Sequence, residues 1–244
     1  MQANEYRKMF ELEDRYWWFV GRRNLALGLL RRHLPPGGRP RILDLGCGTG
    51  VVSREISTWG TPVSLDMSDI ALGFCRKRSL SSLVRARGEA LPFGSAAFDA
   101  VIALDIFEHI EDHSAAFAEV ARILKPGGAL VLSVPAFESL WGPHDVALMH
   151  FRRYRKRLVL DMLESAGLEP VRVSYSVFFL FPAVVLVRAL EKMRKGPAKA
   201  SLVKVPRWLN NLLIGLQALE ARCITGVPLP WGSSVIAVAR KPRK

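Results

Sequence analysis

The stretch RILDLGCGTGVVSREI, residues 41–56, leaves few folds open. A short apolar run, Ile42 to Leu45, feeds a turn with glycines at 46, 48 and 50, and a helical pattern follows at once. Glycines lack Cβ atoms, so the chain turns tightly and its backbone can approach a ligand, while the next helix offers its free N–H groups. A strand, glycine turn and helix in that order form the first unit of a parallel sheet. Dinucleotide-binding folds use the spacing G-x-G-x-x-G, and here the third glycine comes one residue early, which argues against a nicotinamide-dependent oxidoreductase.

Further units repeat the rhythm. PVSLDMS and FDAVIALDIFEHI read as strands, DIALGFCRKRSLS as a helix, and SLVRARGEALPF as a weak strand with a loop. AAFAEVARILKPGG reads as a helix closed by Pro-Gly-Gly, and ALVLSVPA as the next strand. Beyond Ala136 the pattern loosens into the basic loop FESLWGPHDVALMHFRRYRK, a helix RLVLDMLESAG and a strand LEPVRVSYS. SSVIAVARK, 233–241, is a final strand. The fold class is α/β: a doubly wound, Rossmann-like sheet with helices on both faces, preceded by N-terminal helices and carrying a helical apolar insertion before the last strand. The expected organisation is a helical lid over 1–36, a core over 37–176, an apolar and basic cap over 177–231, and a last core strand with a basic tail over 232–244.

Asp66 ends the second strand, where a carboxylate can accept hydrogen bonds from both ribose hydroxyls, so the first two units suit an adenosine-containing ligand. LDLGCGTG, Asp66, GEALPF at 88–93, FDAVIALDIFEHI at 98–110 and LKPGGALVLSVP at 124–135 together resemble the class I S-adenosylmethionine (SAM)-dependent methyltransferases. The resemblance covers residues 40–136 and implies a seven-stranded sheet with SAM as cofactor. By position it implies that Asp44 and the backbone of Gly46, Cys47, Gly48 and Gly50 hold the methionine end. It also implies that Asp66 binds the ribose and Met67 lies on the adenine face, with Glu89 and Ala90 at the adenine edge and Leu104 lining the cofactor. Relatives commonly carry an acidic residue two positions before that glutamate, and this chain has Arg87.

Methyl transfer needs a general base only when the acceptor must lose a proton, and histidine suits that task near neutral pH. His109 follows the fourth strand, and His150 lies in the acceptor-side loop beside Arg152, Arg153 and Tyr154. The two histidines are candidate catalytic residues; the arginines and tyrosine are candidates for holding an anionic acceptor group. Segment 150–168 resembles its counterpart in small-molecule and lipid methyltransferases, including quinone O-methyltransferases. Arg22 is a candidate for the methionine carboxylate, with Trp17 and Trp18 as a lid. The histidines and carboxylates of EHIEDH show no ligand spacing for a metal, and none is expected.

A net charge of +13 and a pI near 10.2 favour an anionic partner: phospholipid, nucleic acid or a phosphorylated substrate. Three cysteines without CxxC spacing suggest neither a disulfide framework nor a zinc site, and the N-terminus has no apolar signal region, so a cytoplasmic location is expected. The fifteen uncharged residues between Arg172 and Arg188 fall short of a bilayer span and contain Pro182. With Lys192, Arg194, Lys195, Lys199, Lys204, Arg207 and Trp208 downstream, the expectation is an interfacial cap, peripheral on a membrane, that admits a lipophilic small-molecule acceptor for O-methylation. RNA methylation is the competing activity, weakened by the absence of an NPPY-type motif; a non-catalytic membrane adaptor on the same fold is a third reading.

Overall fold

The computed structural model of the protein describes residues 3–34, 37–193 and 205–243. Two helices, α1 (Ala3–Leu12) and α2 (Trp17–His33), precede the sheet. The alternating half follows as β1 (Arg41–Leu45), α3 (Val51–Ile56), β2 (Thr61–Asp66), α4 (Asp69–Lys77), β3 (Leu83–Arg85), β4 (Phe98–Leu104), α5 (His113–Ile123) and β5 (Leu124–Pro135). The looser half contains α6 (Pro143–Leu148), α7 (Lys156–Ser165), β6 (Glu169–Ser176), α8 (Phe181–Met193), α9 (Arg207–Gly226) and β7 (Ser234–Arg240). The seven strands lie in the order β3-β2-β1-β4-β5-β7-β6, and β7 runs antiparallel to both its neighbours.

Period-two alternation splits the core across the sheet. Leu43 and Leu45 of β1 join Phe107, Phe117, Val120, Val159 and Leu163 on one face. Ile42 joins Leu29, Leu30, Val52, Ile56, Ile102, Val131 and Ile236 on the other. Each fully buried aliphatic or aromatic side chain contributes roughly 1.5–3 kcal/mol, so the two layers dominate stability.

Two boundaries and the setting of the last strand depend on tertiary structure. Leu124 pairs with Phe98 across the sheet, so Leu-Lys-Pro-Gly-Gly begins β5 rather than closing α5. β7 lies between two strands, so its residues 234–239 are buried on both faces. The helix of the apolar run begins only at Phe181, because Val177 adopts φ 62°, a conformation that a β-branched residue rarely tolerates. The carboxylate of Glu220 on α9 holds that turn, accepting the N–H groups of Val177, Phe178 and Phe179 at 2.5, 2.7 and 3.3 Å.

The expected cap divides in its packing. α9 docks on α2, and Asn210 bonds the backbone at both Arg15 and Trp17. Phe137, just past β5, stacks on Tyr175 and touches Phe181 at the start of α8. Among the described residues, no helix is long and apolar enough to cross a membrane.

Candidate active site

The C-terminal ends of β1, β2 and β4 converge on the glycine turn. Gly46, Gly48 and Gly50 all take positive φ, at 70°, 54° and 83°. A Cβ on Gly46 would stand 2.5 Å from the side chain of Ile106, so the turn packs directly on the chain leaving β4. Asp44 is 3% exposed and its Oδ2 accepts from the Ser53 hydroxyl at 2.7 Å. Burial, with Ser53 opposing it and Asp66 and Glu13 adding to it, pushes the Asp44 carboxyl up to about 7. Asp66 accepts the N–H of Gly48 at 3.1 Å on one oxygen and that of Ser68 at 2.9 Å on the other. Each oxygen keeps a lone pair for a further donor.

Met67 follows Asp66 and is 65% exposed. Arg87, the departure from the common pattern, bonds Glu89 at 3.0 Å, and both it and Ala90 are exposed. Cys47 is buried with its Sγ 3.7 Å from that of Cys75, and Leu104 is buried at the end of β4.

What covers the glycine turn is α1, by contacts that the sequence did not announce. Tyr6 is buried near Asp66 and Ser68, and burial followed by the Asp66 charge pushes its hydroxyl up to about 12. The methyl end of Met9 lies 2.7 Å from where a Gly48 Cβ would be. Glu13 bonds the Thr49 hydroxyl and pairs with Arg78 at 2.7 Å, while Arg78 also donates to the Thr49 carbonyl at 3.0 Å. The only signal for these residues was the helical spacing of positions 6, 9, 10 and 13. SAM fits this donor set: Asp66 offers acceptors for two hydroxyls, and Gly48 leaves a cradle that a Cβ would fill and that a flexible thioether now lines.

Arg22 on α2 pairs with Asp105, just past β4, and Asp105 also accepts from Ser133 at 3.0 Å. Trp18, Arg22, Ser133, Val177, Gln217 and Glu220 line an adjoining cavity of about 20 Å³, room for roughly one water. Among the described residues, Arg22 Nε and Gln217 Oε1 are buried there without a hydrogen-bond partner. Trp17 and Trp18 therefore lie toward α9 and this cavity, and α1 rather than the tryptophans closes over the glycine turn.

His109 and His150, from separate loops, meet edge-to-face with ring centroids 4.7 Å apart. Burial, then the neighbouring His150, pushes His109 down to about 4. Glu108 is 1% exposed, its Oε2 has no partner among the described residues, and burial followed by Asp105 pushes its carboxyl well up. Glu108, His109 and His150 bring ligand-type atoms within 4.8 Å of one another, so the absence of a metal constellation read from local spacing does not carry over to the fold.

The basic cluster has other partners. Arg152 donates to the carbonyls of Ile110 and Glu111 at 2.8 and 2.7 Å. Arg153 is buried and forks onto Asp145. Tyr154 is fully buried with its hydroxyl 2.9 Å from His113 Nδ1. These contacts tie the acceptor-side loop to the sheet, and neither Arg153 nor Tyr154 offers an open surface to an anion.

Comparison with known proteins bears on the domain and the fold. A methyltransferase domain model matches residues 43–132. An uncharacterised Methanocaldococcus jannaschii protein is 26% identical over 202 residues, covering 80% of this chain and 92% of that one. The ubiquinone biosynthesis O-methyltransferase of Xanthomonas axonopodis pv. citri is 30% identical over 144 residues, 53% of this chain and 60% of that enzyme. Among solved structures, a Thermotoga maritima SAM-dependent methyltransferase, described as a possible histamine N-methyltransferase, superposes with TM-score 0.61 at 19% identity. That match covers 98% of this chain and 95% of the other. Residues 43–132 therefore carry the methyltransferase domain of the class I SAM-dependent family, built on the glycine turn and strand order described above.

Proposed function

We propose that the protein methylates a hydroxyl of a lipophilic small molecule that it meets at an anionic membrane surface. The observation that carries this reading is apolar exposure on two helices: Leu186 and Leu190 lie one turn apart on α8, Trp208 and Leu212 one turn apart on α9, and each is between 52% and 69% exposed. Leaving more than half of each such side chain in water forgoes about 1–2 kcal/mol apiece. A surface of that kind marks an interaction site, and a chain of net charge +13 favours an anionic one. Arg207 opens α9, whereas Arg194, Lys195, Lys199 and Lys204 of the expected basic edge lie outside the described residues. Phe181, Phe137 and Tyr175 form an aromatic line from the start of α8 to the end of β5, a route that suits an apolar acceptor.

Bound at the glycine turn, SAM supplies an electrophilic methyl group on a sulfonium. Asp66 would hold the ribose hydroxyls, the backbone of Gly46 to Gly50 the methionine end, and Arg22 its carboxylate once released from Asp105. α1 would exclude water, and alignment of the acceptor behind the methyl group would provide several kcal/mol of the acceleration. His109 and His150 would be the candidate bases for the hydroxyl proton. Incubation with methyl-labelled SAM and, separately, the membrane-lipid and aqueous fractions of host cells tests the reading. Label in extracted lipid is expected; label confined to aqueous products overturns the lipophilic acceptor, and label in RNA replaces it.

A further inference from the structure

A buried polar cluster stands behind the two histidines. Asp145 on α6 is fully buried and receives four hydrogen bonds. They come from Gly142 N at 2.9 Å, His150 Nδ1 at 2.9 Å, and Arg153 Nε and Nη2 at 2.8 and 3.0 Å. The guanidinium fork and the imidazole hold its carboxyl well below the usual carboxylate range against the opposing effect of burial, so it is ionised and only accepts. An ionised carboxylate 2.9 Å from Nδ1 demands a proton on Nδ1. Neutral His150 then carries its lone pair on Nε2, on the far side of the ring from Asp145.

The backbone fixes the ring as firmly. Met149 takes φ 59° to end α6, His150 N donates to the Asp145 carbonyl at 3.0 Å, and Phe151 N donates to the Glu108 carbonyl at 2.8 Å. Arg153 anchors the assembly to the sheet through the Ala136 carbonyl at 3.0 Å, immediately past β5. An ion pair this deep is poor evidence of a gain in stability, because desolvation offsets the attraction. It is a good way to hold a ring in one orientation and one tautomer. Among the described residues, His109 makes no comparable hydrogen bond to a buried carboxylate, so its ring is not held in one tautomer in this way.

We infer that Asp145 is a positioning residue that fixes the Nδ1–H tautomer of His150, and that His150 takes the hydroxyl proton through Nε2. The assignment rests on the O-methylation proposed above. As the acceptor oxygen bonds to the methyl carbon, the carbon–sulfur bond breaks with its electrons left on sulfur, and the O–H proton passes to Nε2 of His150. The imidazolium then loses that proton to water.

Long-range proton–nitrogen spectra of the nitrogen-15-labelled full chain near pH 8 test this, with the His150 ring assigned by its loss in His150→Gln. A protonated Nδ1 and a bare Nε2 are expected in the wild type, and Asp145→Asn should mix or reverse that pattern. Transfer of labelled methyl to the lipid fraction should fall at least a hundredfold in His150→Gln and at least tenfold in Asp145→Asn, with SAM affinity unchanged within threefold in both. A wild-type ring protonated on Nε2, or a tautomer unmoved by Asp145→Asn, overturns the inference. So does a His150 resonance that shifts on stoichiometric addition of zinc, because the lone pair would then belong to a cation. Absence of methyl transfer by the wild type to any fraction would overturn the proposed function instead, and the wild-type spectrum would still decide the positioning role.

Discussion

Replacing Asp44 with asparagine should make the fold more stable at alkaline pH while weakening its cofactor site. Asp44 ends β1 at 3% exposure, with one hydroxyl donor, Ser53, on its Oδ2. Its carboxyl is pushed from 3.8 up to about 7, chiefly by burial. Between those values the folded chain holds a proton that the unfolded chain has lost, so stability falls as pH rises through the window and is lowest above it. At about 1.4 kcal/mol per pH unit, the ionised carboxylate costs the fold about 4 kcal/mol by pH 8. Asparagine keeps the shape and the acceptor for Ser53 and removes the titration. Urea unfolding of both proteins from pH 4 to pH 8 should therefore give nearly equal stabilities at the acid end and a gap widening toward about 4 kcal/mol in favour of Asp44→Asn. A gap that stays constant, or one that widens in favour of the wild type, would refute the reasoning. Retention of so costly a group at the cofactor turn is expected when ligand binding needs it.

Gly48→Ala should lose about 1–2 kcal/mol of stability, because φ is 54° and alanine disfavours the left-handed region, and SAM binding by calorimetry should weaken with it. Adding Met9→Ala would remove the 2.7 Å contact of the new Cβ but leave the backbone strain, so it should restore only part of the loss. Glu220→Gln should lower stability by about 2 kcal/mol in thermal unfolding, since three N–H groups at the Val177 turn would lose a charged acceptor. Leu186→Glu with Leu212→Glu should abolish co-sedimentation with anionic vesicles while changing stability by less than about 0.5 kcal/mol each, because both positions are more than half exposed. Vesicle binding by that double variant equal to the wild type would leave the α8–α9 face without a membrane role.

The sheet was readable because its signals are local. Strand, glycine turn and helix follow one another within residues 41–56, and Asp66 sits at a strand end where its position alone suggests its partner. The cover over the glycine turn was not readable, because Glu13, Thr49 and Arg78 lie far apart in the chain and form one polar network only after folding. His109 and His150 were separate candidates in sequence. Their meeting depends on α6, on the left-handed turn at Met149 and on Arg153, whose charge pointed toward a ligand but turned inward to Asp145. β7 illustrates the same limit: its strand character was plain, while its insertion between β5 and β6 is a property of the sheet. The apolar run beginning at Val177 was plain in sequence, but not that its first residues are pinned by Glu220 while its later ones are exposed on α8.

Calorimetric titration of the wild type and of Asp66→Ala with SAM tests the central claim most directly. One SAM per chain should bind the wild type, Asp66→Ala should bind at least tenfold more weakly, and NADH should bind neither. Equal binding of SAM to both proteins, or saturable binding of NADH, would contradict the account.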